Sequence, residues 1–118
     1  MKFDDAERYQ LLRIIAEHPE YTQRDLSAAL GMSVGKINFC VKALVRQGLV
    51  EAGNSRGSWG NGGPAYLLTP KGAEDRAALS VQLLQYKRNQ LEALRAEVAV
   101  LESEQIAHER SSVSSLAE

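Results

Sequence analysis

The 118-residue chain holds one cysteine, two histidines and three prolines, and no glycine or proline follows Gly72. A lone Cys40 excludes an internal disulfide, and one thiol with His18 and His108 makes no ligand set for a structural zinc. Both absences fit a reducing compartment. No stretch approaches the roughly 20 apolar residues that a membrane helix needs, and no charged-then-apolar leader opens the chain, so a cytoplasmic protein with no membrane partner is expected. No acid-base pair, nucleophile elbow or phosphate loop is present, which predicts a protein that is not an enzyme and takes no cofactor. Cys40 lacks a neighbouring histidine or second thiol to activate it and reads as a small packed residue of a helix.

The densest information lies between Thr22 and Val50. Thr22 is placed to cap a helix, with Asp25 in its first turn against the positive end of the dipole. Leu26, Ala29 and Leu30 follow at helical spacing, and Gly31 supplies the left-handed stop. After a turn of about three residues, Ser33 caps a second helix, in which Val34, Ile37, Val41, Leu44 and Val45 form an apolar stripe expected to face a core. The complementary face carries Gly35, Lys36, Asn38, Phe39, Lys42 and Arg46. Cations and an amide on the outward face of a second helix are the groups that meet phosphates and base edges in a major groove.

Beyond Gly48, Leu49 to Ala52 reads as a strand and Ala65 to Leu68 as its hairpin partner. The intervening residues 53–64, GNSRGSWGNGGP, hold five glycines and cannot bury a core, but they can adapt to a surface. They read as a wing, with Arg56 as its cation; the role of Trp59 stays open. Upstream, Tyr9, Leu12, Ile15 and Ala16, widened by Leu11 and Ile14, predict a core-packing first helix that His18-Pro19 closes. Tyr21 is expected to staple onto the next helix.

Thr69 and Pro70 read as cap and first residue of a single long helix reaching about Arg110, followed by a serine-rich disordered tail over 111–118. Leu84, Leu91 and Val98 fall on heptad position a, and Leu94 and Leu101 on d, so the helix is expected to dimerise as a short coiled coil; the charges flanking this seam mildly favour an antiparallel pair. The fold class is therefore mainly α with a small β-hairpin: a winged helix-turn-helix over 1–69, then a dimerisation helix over 70–110.

The net charge of −1 divides unevenly, as −2 over residues 1–20, +4 over 21–73 and −3 over 74–118. Counterion release depends on cations at the contact surface, so the whole-chain balance does not argue against DNA. Expected DNA contacts are Gly35, Lys36, Asn38 and Phe39 near base edges and Lys42, Arg46, Arg56 and Lys71 nearer phosphates; Thr22 and Ser33 also reach phosphate from their caps.

The run Ser33 to Leu44, SVGKINFCVKAL, together with AYLLTPKG over 65–72, resembles the short MarR-type winged-helix regulators associated with bacterial exopolysaccharide (EPS) operons. The resemblance covers most of residues 5–101, although here the wing is rich in glycine where that group carries lysines. It implies a homodimeric, cytoplasmic, sequence-specific transcription factor without enzymatic activity; such a dimer is expected to read a pseudo-palindromic double-stranded operator, with repression the expected sign. It carries over no effector ligand. The competing expectation is a winged-helix and coiled-coil scaffold that binds other proteins and never DNA.

Overall fold

The computed structural model describes residues 1–53 and 63–117, with side chains through residue 113. In chain order the elements are α1 (Asp5–Glu17), α2 (Gln23–Leu30), α3 (Val34–Arg46), β1 (Val50–Ala52), β2 (Tyr66–Leu68) and α4 (Pro70–Ala117). Most boundaries follow from local chemistry. Asp4 caps α1 through a reciprocal box, its carboxylate accepting from the Glu7 N–H at 2.8 Å while Glu7 Oε1 accepts from the Asp4 N–H at 3.2 Å. Thr22 and Asp25 repeat the arrangement at α2, and Ser33 Oγ accepts from the Lys36 N–H at 3.1 Å to start α3. Gly31, at φ +69°, ends α2 in the left-handed conformation. The chain turns through 111° between α2 and α3, within the range of a helix-turn-helix, and the Ser27 hydroxyl spans the turn by donating to the Met32 carbonyl.

The chain forms two compact units, Met1–Gln82 and Leu83–Glu118. The core of the first gathers Leu11, Leu12 and Ile15 of α1, Leu26 of α2, Ile37, Cys40, Val41 and Leu44 of α3, Leu49 and Val50, and Leu79 of α4. Tyr21 packs against this cluster and stacks on His18 with ring centroids 4.4 Å apart. The stripe of α3 differs from expectation at both ends: Val34 is 44% and Val45 39% exposed, while Cys40 is buried between Ile37 and Leu44. At roughly 100° per residue the centre of the buried face runs between Ile37 and Leu44, and Val34 and Val45 stand about 70–90° from it.

Antiparallel β1 and β2 pair Val50 with Leu68 and Ala52 with Tyr66. The ladder is fixed at both ends. The Pro19 carbonyl accepts from the N–H groups of Ala65 and Tyr66, at 2.8 and 3.2 Å, and the Thr69 hydroxyl donates to the Gly48 carbonyl at 2.7 Å. Thr69 Oγ1 also accepts from the Gly72 N–H at 3.0 Å, capping α4. Gly72 is a packing glycine, because a Cβ there would collide with the Leu49 carbonyl oxygen and lie 2.8 Å from Leu68 Cδ1. Arg8 Nε faces Asp75 Oδ2 at 3.1 Å, both atoms shielded from solvent, so a coulombic tie joins α1 to the first turns of α4.

The first unit, Met1–Gln82, takes in the hairpin and the early turns of α4. The early turns of α4 belong to it because Gly72, Asp75 and Leu79 pack there. α4 also continues to Ala117, past the bound expected at Arg110. Four serines after Arg110 do not stop it, since each costs only a few tenths of a kcal/mol in a helix and no glycine or proline intervenes. In the second unit, Leu84, Leu91, Leu94, Val98 and Leu101 are all between 48% and 59% exposed. Among the described residues no single helix is long and apolar enough to cross a membrane.

Candidate nucleic-acid interface

The sequence places cations and an amide on the outward face of α3, and the structure divides that face into three. Gly35, Lys42 and Arg46 lie farthest from the buried stripe, and all three are exposed. Among the described residues neither Lys42 nor Arg46 makes an ion pair, so both guanidinium and ammonium are available to an external anion. Gly35 leaves the first turn open, with only Met1 Cε, 4.0 Å away, near the position a Cβ would take.

On the flank towards α1, Lys36 forms an ion pair with Glu7 Oε2. The hydrogen bond to Glu7 raises the lysine above its ordinary value of 10.5, against a smaller desolvation effect. On the opposite flank, Asn38 Oδ1 accepts from Gln23 Nε2 at 3.1 Å. Gln23 is thus a member of this surface that the sequence reading did not single out. Its signal is weak, since a glutamine in a first helical turn 15 positions from its partner has no local pattern. Phe39 is half-buried and packs against the core cluster.

A shallow groove of about 360 Å³ runs beside this face, lined by Gln23, Asn38, Val41, Lys42, Val45, Arg46, Ala52 and Tyr66. It joins the helix-turn-helix to the wing end of the two-stranded ladder, at Ala52 and Tyr66, so the exposed edge of Val45 has a place on this surface instead of in the core. Thr22 and Ser33 are exposed at their caps. Lys71 lies elsewhere: its Nζ donates to the Gln47 carbonyl at 3.0 Å, completing the C-terminal end of α3. The wing residues 54–62, with Arg56 and Trp59, lie outside the described residues.

No cluster of histidine, cysteine or acidic side chains able to hold a metal occurs among the described residues. The surface offers a helix face with two cations unpaired among the described residues, an adjacent amide pair and a groove leading to the hairpin. Such groups hold anionic backbones and hydrogen-bond polar edges.

Comparison with known proteins agrees with this geometry. Residues 5–51 match the family described as winged helix-turn-helix DNA-binding. No curated protein matches the chain. Among solved structures, MarR of Staphylococcus aureus in complex with salicylate and kanamycin has a similar fold, with a TM-score of 0.56 and 23% identity over 71% of this chain. The present chain spans 55% of the length of that protein. Residues 5–51 are thus matched to a winged helix-turn-helix DNA-binding domain, on a chain whose fold is similar to that of a MarR regulator.

Proposed function

We propose that the protein is a cytoplasmic, sequence-specific transcription regulator that lays α3 in the major groove of double-stranded DNA. The observation that carries this reading is the pair of exposed cations, Lys42 and Arg46, unpaired among the described residues on the outward face of the second helix of a matched DNA-binding domain. Gly35 permits close approach of the first turn, and Asn38, braced by Gln23, stands beside the groove. Thr22 and Ser33 lie where phosphates would flank α3, whereas Lys71 is engaged with Gln47. The wing, through Arg56, would add a further backbone contact.

The regulator acts as a homodimer joined through Leu84, Leu91, Leu94, Val98 and Leu101, whose exposure in one chain leaves an apolar stripe for a second copy to cover. A dimer presents two copies of α3 to half-sites about one helical turn apart in a pseudo-palindrome. Occlusion of polymerase makes repression its simplest consequence, and the resemblance of its motifs to EPS-associated regulators points to exopolysaccharide biosynthesis genes.

Selection of bound genomic fragments followed by gel shift tests the reading. The double substitution Lys42→Ala with Arg46→Ala should weaken binding about tenfold and reduce the slope of log affinity against log salt by about 1.8, for two lost phosphate contacts. Binding and slope unchanged by the pair would remove α3 from the interface. No DNA binding by the wild type would favour the protein-interaction scaffold instead.

A further inference from the structure

The Lys36–Glu7 pair ties α1 to α3 outside the buried apolar core, and it occupies the one cation of the first turn of α3. Glu7 belongs to α1 and is held at both oxygens: Oε1 accepts from the Asp4 N–H at 3.2 Å and Oε2 faces the Lys36 ammonium. The pair is partly sheltered, with side-chain exposures of 29% for Lys36 and 18% for Glu7, so salt screens it less than a fully solvated pair. A phosphate oxygen and a carboxylate oxygen offer the same ammonium equivalent charge-assisted bonds.

We propose that Glu7 is an internal substitute for a DNA phosphate: it holds Lys36 in the free protein, and binding must draw the lysine away from it. Glu7 is then a positioning residue that lowers affinity and lessens its salt dependence from outside the contact face. The inference rests on the DNA-binding reading and deepens it. It also explains why a cation at a reading position sits beside a fixed anion, where an unpaired lysine would bind DNA more tightly and with less discrimination between sequences.

Glu7→Gln removes the charge and keeps the α1 box, because glutamine serves the same capping position as glutamate. Unchanged helix content and melting temperature would establish that the fold is intact. Measured on the full chain with a selected operator, Glu7→Gln should raise affinity roughly three- to tenfold and steepen the salt slope by up to about 0.9, because the counterion released at the Lys36–phosphate contact is no longer offset by one taken up at the bared Glu7 carboxylate. In a Lys36→Met background the same substitution should change neither quantity. A loss of affinity, an unchanged affinity and slope, or an equal gain in the Lys36→Met background would each overturn the proposal. If wild type and all three variants leave DNA unbound, the DNA-binding reading itself fails, an outcome distinct from bound DNA indifferent to Glu7.

Discussion

Two regions of this chain treat the same side chains in opposite ways. In the first unit, Leu11, Leu12, Leu26 and Leu44 are fully buried, each shielded by residues from other elements. In the second, Leu91, Leu94 and Leu101 stand at least 48% exposed on one helix. A leucine stabilises a fold only when other atoms remove it from water, at about 25 cal/mol per Å². The first unit has α1, α2, α3 and the hairpin to do this; the second has one helix, and an isolated helix gains little from its own apolar residues. The difference is therefore one of self-sufficiency: the first unit closes its own core, and the second carries apolar surface whose value depends on what covers it.

The largest test of that contrast is the introduction of a charge on the uncovered stripe. Leu94→Asp should convert the protein to a monomer in sedimentation velocity while leaving the melting of the first unit unaltered. A dimer surviving the change would move self-association to another surface. Next, truncation should separate the two regions by energy. Leu44→Ala is expected to destabilise the first unit by about 2–5 kcal/mol in thermal or urea unfolding, whereas Leu94→Ala should shift the same transition by less than about 0.5 kcal/mol. Equal costs would erase the distinction.

The smallest effect concerns how the first unit holds its helix starts. The Thr22 backbone N–H, and then its hydroxyl, keep the Asp25 carboxyl below its ordinary 3.8. A depressed carboxyl contributes stability that is present above pH 3.8 and is lost as pH falls through the lower folded value. Asp25→Asn should therefore lower the melting temperature at neutral pH and converge with wild type in strong acid. A constant offset at every pH would assign the effect to something other than this charge.

The order of elements was legible because its signals are local. Thr22, Gly31 and Ser33 act within three or four residues of themselves, and their capping and left-handed roles in the structure follow from side-chain chemistry alone. The hairpin was readable from its apolar strands, which pair Val50 with Leu68. What periodicity could not resolve was the width of the α3 stripe, where Cys40 takes an interior position and Val34 and Val45 the margins. Nor could it reveal that Lys36 and Asn38, outward on a helical projection, are held by Glu7 and Gln23. Those partners sit on other helices, and their pairing depends on how α1 and α2 cross α3. Gln82 as the edge of the first unit was hidden for the same reason, since Leu79 is buried by tertiary packing and continues an unbroken helix.

Cys40 gives the first unit a property of practical use. It is the chain's single thiol, it lies at 0% exposure in the core, and burial pushes its pKa above the ordinary 9.0. A thiol reagent consequently has one target and must wait for the core to open before the sulfur can ionise and react. The rate of modification becomes a clock for the opening of the helix-turn-helix core alone, read from the native protein without an introduced label, and any ligand that clamps this unit will slow it.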